Sequence, residues 1–91
     1  MTTLPTIHLN GTGAETLRAE YEAIYDAVRR AEYKLSMATC NARDFYPQGS
    51  EAYRAANLER NEMLFKLRDV IHYAAAWHDH AQAHCHPSPG V

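Results

Sequence analysis

The sequence predicts an all-α chain: a two-helix antiparallel hairpin, coiled-coil-like, with a short N-terminal extended arm, assembling into a helical bundle. Three observations predict it. Apolar residues recur at steps of three and four along two long stretches. Between them lies Asn41–Ser50, punctuated by Pro47 and Gly49. And 91 residues make one domain, in which two helices alone cannot enclose a core, so association with other copies is the natural remedy.

Residues 1–12 form the arm. Ile7-His8-Leu9 alternates apolar, polar, apolar, which suits a short extended piece lying on a helix. Asn10-Gly11-Thr12-Gly13 reads as a turn. Thr12 is placed as a helix cap, with Glu15 completing the capping box T-x-x-E. The first helix spans 13–40. Its seam is Ala14, Leu17, Tyr21, Ile24, Val28, Ala31, Leu35 and Ala38, a heptad pattern, with Tyr25, Tyr33 and Met37 beside it. Arg18–Glu22 and Asp26–Arg30 are spaced to pair on the outer faces.

The connection spans 41–50. Tyr46-Pro47-Gln48-Gly49 suits a type I turn, and Pro47 pushes Tyr46 out of helical geometry. Asn41 can close the first helix in the left-handed conformation, and Ser50 can cap the second. The second helix spans 51–85 and carries two adjacent seams. One is Tyr53, Ala56, Arg60, Met63, Leu67, Val70, Ala74, Trp77 and Ala81. The other is Leu64, Leu67, Ile71, Ala74, His78 and Ala81. Leu58 and Phe65 fall outside this face and read as a contact for another subunit. Arg60 interrupts the first seam and must find a partner, reach solvent or bind an anion. Residues 86–91 form a Pro-rich tail, expected to be mobile.

A net charge of −2 argues against general nucleic-acid binding. No apolar run is long enough for a membrane span, and Cys40 and Cys85, placed at opposite ends of a hairpin, should not pair, so the expectation is a cytosolic protein with reduced thiols. Nothing amounts to a catalytic motif and no cofactor is implied, so the chain is expected not to be an enzyme. His80 and His84 share one helical face, and with Cys85 or His86 they could bind a metal. The span lacks the Glu of H-E-x-x-H, so metalloprotease chemistry is not supported. A polar helix end interacting with the helix dipole is the plainer account of these histidines.

The connection holds more than turn chemistry needs. Arg43 supplies a planar fork for carboxylate or phosphate, Tyr46 a stacking face with a polar tip, and Asp44 and Gln48 add polar groups. The plainer account has Phe45 and Tyr46 plugging the hairpin end. The other polar motif, with His8, Asn10 and Thr12 at a helix start that attracts anions, belongs at the opposite end. The two can meet only in an antiparallel oligomer. There they would form two equal pockets, with Arg54 and Arg60 as further cationic groups and a small anionic, nucleotide-like ligand as occupant.

Ile7-His8-Leu9-Asn10-Gly11-Thr12 followed by Arg43-Asp44-Phe45-Tyr46-Pro47-Gln48-Gly49 resembles short phage and prophage accessory proteins carrying IHLNGT…RDYYPQG strings. Phe45 stands where that pattern has Tyr. The resemblance covers nearly the whole chain and implies an accessory, anti-defence role in the host cell cytoplasm. Three functions follow as expectations. The first is a non-catalytic homo-oligomer binding a nucleotide-like signal at its subunit interfaces. The second is a protein–protein inhibitor of a host defence protein, such as an anti-CRISPR, or a structural adaptor. The third is a metal-binding helical protein.

Overall fold

The computed structural model describes residues 2–85. All regular structure among them is helical: α1 (Ala14–Met37), a 3-10 segment (Ala42–Gln48) and α2 (Ser50–Ala83). Helices α1 and α2 pack as an antiparallel hairpin, and the long axis of the molecule measures 67 Å. The tail lies outside the described residues, so the expectation for 86–91 and any part for His86 stay with it.

The ends of α1 depart from the expected capping. Gly13, not Thr12, occupies the N-cap position, and no side chain caps it. Glu15 turns instead to Arg18, whose Nη2 donates to it at 2.6 Å, while Arg18 Nη1 reaches Glu22 at 2.9 Å. A charged fork within one helical turn thus takes the carboxylate that a capping box needs. The pairing of Arg18 with Glu22 is as spaced; Asp26 and Arg30 form no ion pair among the described residues.

At its other end α1 stops at Met37, short of 40, because Ala38 turns extended. Arg60 of α2 closes this end. Its guanidinium donates to the carbonyls of Ser36 (2.9 Å) and Ala38. A cation at a helix C-terminus meets both the unpaired carbonyls and the negative end of the dipole. The interruption of the seam by Arg60 is therefore a cap supplied across the hairpin.

The connection is more regular than a turn-containing loop. Asn41 is extended (φ −114°) rather than left-handed. Its side chain accepts from Arg43 N–H at 3.0 Å and its carbonyl from Asp44 N–H at 3.0 Å, so it starts the 3-10 segment instead of closing α1. Tyr46 stays within that segment despite Pro47. Gly49 N–H donates to the carbonyls of Phe45 and Tyr46, and the φ of 94° there is one that glycine alone adopts readily. Ser50 is the first residue of α2 and caps nothing; Gly49 holds the N-cap place.

Of the two seams on α2, the second packs against α1. Leu64, Leu67, Ile71, Ala74, His78 and Ala81 are shielded, and Ile71, Ala74 and Ala81 are the fully buried residues among those described. Met63 and Val70, from the first seam, remain 42% exposed. On α1 the packed face is Tyr21, Tyr25, Val28, Glu32 and Leu35, while Ile24 and Ala31 turn outward. Sequence spacing favoured the apolar Ile24 and Ala31. The fold instead takes the larger Tyr25, together with Glu32, which is tolerated because Arg68 of α2 meets it at 3.0 Å. Near the arm, Tyr21 stacks on Trp77 (centroids 4.7 Å apart, 12° between planes), with Tyr73 tilted against both. This aromatic cluster joins the helices beside the buried Ala74 and Ala81.

The arm crosses α2, held by a 2.6 Å hydrogen bond between His80 Nε2 and the Pro5 carbonyl. Ile7 is half-buried, as its place in the alternation suggests. Leu9 is not: a turn closed by Gly11 N–H on the His8 carbonyl carries it outward, 98% exposed. Leu58 and Phe65 are also exposed, as expected of residues outside the packed face.

Candidate functional site

The residues singled out from the sequence fall into two groups at opposite ends of the hairpin. His8, Asn10 and Thr12 are exposed at the arm end. Arg43, Asp44, Tyr46, Gln48 and Arg54 are exposed at the loop end. The groups do not meet within one chain.

At the loop end, Phe45 plugs the hairpin as the plainer account holds, tilted against Tyr53 with centroids 6.1 Å apart. Tyr46 does not join it and is 73% exposed. Ala42, Tyr46, Gly49, Ser50 and Tyr53 line a small cavity of about 150 Å³. The walls are aromatic rings, one methyl group and backbone. Arg54 leans only loosely on Glu51 (3.7 Å), and no hydrogen bond or ion pair of the Arg43 side chain is found among the described residues. Arg60 is withdrawn from this set: its Nη atoms are spent on the end of α1, and its Nε is buried without a partner. The cationic surface here is therefore Arg43 with Arg54.

The arm end is knit by polar contacts. The rings of His80 and His84 lie 4.7 Å apart between centroids. However, His80 Nε2 is engaged by Pro5, and His84 Nδ1 meets the carbonyl of His80 at 2.8 Å. The Cys85 thiol donates to Glu15 Oε2 at 3.6 Å. No group of three or more potential ligands converges among the described residues. The Arg18 guanidinium holds the Glu15 carboxyl below its usual range, and the paired carboxylates of Glu15 and Glu22 raise the affinity of Arg18 for its proton. Burial, and then the Glu15 carboxylate, push the Cys85 thiol up, which disfavours the thiolate a metal or a nucleophile needs. Burial likewise raises Tyr21, in the aromatic cluster.

Two features of the surface come from the packing of the helices. One is a groove of about 340 Å³ on one side of the hairpin, between Glu22, Tyr25 and Asp26 of α1 and Ala75, His78 and Asp79 of α2. Only the packing of the two helices brings its acidic residues together. The other is an apolar stripe on the side opposite this groove. Relative to the packed face, Ile24 and Ala31 lie on the far side of α1 from Glu22 and Tyr25, and Met63 and Val70 lie on the far side of α2 from Ala75. The heptad spacing of Leu17, Ile24, Ala31 and Ala38, and of Ala56, Met63, Val70 and Trp77, was the available signal. It marked these residues as seam without saying against what they pack.

No helix among the described residues is long and apolar enough to cross a membrane. Comparison with known proteins supplies no relative to set beside these sites: no family model, curated protein or solved structure matches the chain.

Proposed function

We propose that this chain is a non-catalytic helical module that works by association, its primary act being assembly with further copies of itself into a bundle. Surface area is the observation that carries the proposal. The chain exposes 7044 Å², whereas a compact monomer of its mass exposes about 5,400 Å² by the usual scaling. The excess of about 1,600 Å² is more than the ~800 Å² per partner that a stable interface buries. Part of that excess is the stripe of Ile24, Ala31, Met63 and Val70, which has heptad spacing and is only partly covered in its own chain, Ile24, Met63 and Val70 being 41–42% exposed.

Sedimentation equilibrium tests this directly. The wild-type chain is expected as a dimer or larger at micromolar concentration. Met63→Glu with Val70→Glu is expected to weaken assembly by at least about 100-fold, since each carboxylate would be stripped of water in the interface. Helicity should be retained, because both residues lie at the edge of the packed face, 42% exposed, where a glutamate can reach water in the separated chain. A wild-type monomer throughout the concentration range would overturn the proposal.

A second reading adds a small anionic, nucleotide-like ligand at the loop end, and the exposure of Arg43, Tyr46 and Arg54 at that same end favours it. Guanidinium forks with a stacking face suit a phosphate joined to a base. Thermal stabilisation by nucleotides is its test. The expected result is a shift lost in Arg43→Ala with Arg54→Ala, with helicity unchanged; an equal shift in that variant would sink this reading. A phage accessory role against a host defence protein fits a small oligomeric binder, and its support is the motif resemblance alone.

A further inference from the structure

We infer that two copies pair antiparallel about a two-fold axis near Ala27, so that Leu9 of each arm seats in the loop-end cavity of the other. This rests on the self-association proposed above and specifies its geometry.

Leu9 is the starting point. It is the most exposed large apolar side chain among the described residues, at 98%, yet it stands on an ordered turn. Gly11 N–H closes that turn on His8, and the arm behind it is fixed by His80 on Pro5. The His8 ring folds over Gly11, where an added Cβ would lie 2.9 Å from Nε2. A leucine held out on a braced turn is presented to something, and its own hairpin offers it no contact.

The receptor is at the other end. The cavity of about 150 Å³ between Ala42, Tyr46 and Tyr53 is lined mainly by carbon and opens beside the loop. It has room for one branched aliphatic side chain, and exposed Tyr46 forms its outer wall.

The spacing along α1 brings the two together. Leu17, Ile24, Ala31 and Ala38 are disposed symmetrically about Ala27–Val28. An antiparallel copy laid on this stripe sets Ile24 by the second copy's Ala31 and Leu17 by the end of its α1, near Met37. The same register places Glu20 opposite Lys34 of the second copy, an ion pair formed twice across the axis. Small exposed Ala27 sits at the axis, where the two α1 helices come nearest. The turn bearing Leu9 lies just beyond Gly13 at the start of α1, and in this register the start of α1 falls at the second copy's loop end. Each arm thus reaches the other copy's cavity, and the two sequence motifs flanking α1 become neighbours. Of the excess surface, the stripe covers the middle of the interface and the two leucine contacts close its ends.

Sedimentation equilibrium on the full chain tests this through two cycles. Leu9→Asp is expected to weaken association by about tenfold or more, and Tyr46→Ala by a similar factor. The double variant should be little weaker than either alone, because both remove one contact. Glu20→Lys and Lys34→Glu should each weaken association, and their combination should restore it. Leu9→Asp and Tyr46→Ala lie at exposed positions, and unchanged circular dichroism is expected of both. If Leu9→Asp leaves association intact while Met63→Glu with Val70→Glu abolishes it, the arm–loop contact is wrong and self-association stands. Additive effects of Leu9→Asp and Tyr46→Ala, or a charge swap that fails to restore, overturn the antiparallel register. A wild-type monomer overturns this inference together with the proposal beneath it.

Discussion

Trp77→Ala is expected to lower the unfolding free energy by about 3 kcal/mol, the low end of the range for removing a packed Trp. The indole of Trp77 stacks on Tyr21 at 4.7 Å and meets Tyr73 at 6.3 Å. With Ile71, Ala74 and Ala81, the buried residues among those described, this cluster holds much of the apolar contact between α1 and α2. Truncation leaves Tyr21 without its stacking partner and opens a gap that two straight helices cannot close. The buried indole Nε1 has no hydrogen-bond partner among the described residues, so truncation also removes an unpaired buried donor, which offsets part of the packing loss and places the expected cost at the low end. Denaturant titration at fixed protomer concentration is the measurement, because assembly makes apparent stability concentration-dependent. A Tyr21 and Trp77 double-mutant cycle should give a coupling of about 1 kcal/mol for the stacked pair. A midpoint unchanged by Trp77→Ala would mean that the two helices are held by something other than this cluster.

Arg60→Met is expected to cost roughly 1.5 kcal/mol, near the low end for charge-assisted hydrogen bonds because water can partly replace the lost donor. Methionine keeps most of the side-chain length and its packing but removes the guanidinium. The Ser36 and Ala38 carbonyls then lose the donor that α2 extends to them. The loss should be local as well as global. Amides in the last turn of α1 and in the 3-10 segment are expected to exchange faster with solvent, while those around Ile71 change only with overall stability. Arg60→Lys should recover part of the stability, since an ammonium retains the charge at the helix end but cannot span both carbonyls as a planar fork does. Equal protection of the α1 terminus in wild type and Arg60→Met would remove the capping role.

The two helices, their lengths to within a few residues and the joint between them were legible in the sequence. Heptad spacing of apolar residues over two stretches, with Pro47 and Gly49 between, admits few other arrangements. The exposure of Leu58 and Phe65 was legible for the same reason, since both stand off every packed row. The caps were less so. Thr12, Asn41 and Ser50 each have the chemistry of a cap, but competition decides which group an amide meets. Arg18 takes Glu15, and Asn41 turns to the 3-10 segment.

Of the candidate site residues, the sequence alone separated an arm-end set from a loop-end set, because the hairpin fixes which motifs share an end. It could not decide the fate of Arg60. An arginine on an apolar row has several possible partners, and only the crossing of α2 over the end of α1 shows that backbone carbonyls are the ones met. Nor could it choose between the two seams of α2. They differ by a small rotation of the helix, and sequence spacing resolves a face only to about one residue in a turn. The choice belongs to the whole interface, where Tyr25, the Glu32–Arg68 pair and the Tyr21–Trp77 stack fit together in one rotation. By itself the sequence determined a helical hairpin with more apolar spacing than one hairpin can bury. Tertiary structure decided which of those residues are spent inside it and which, Ile24, Met63 and Val70 with Leu9, are left to face outward.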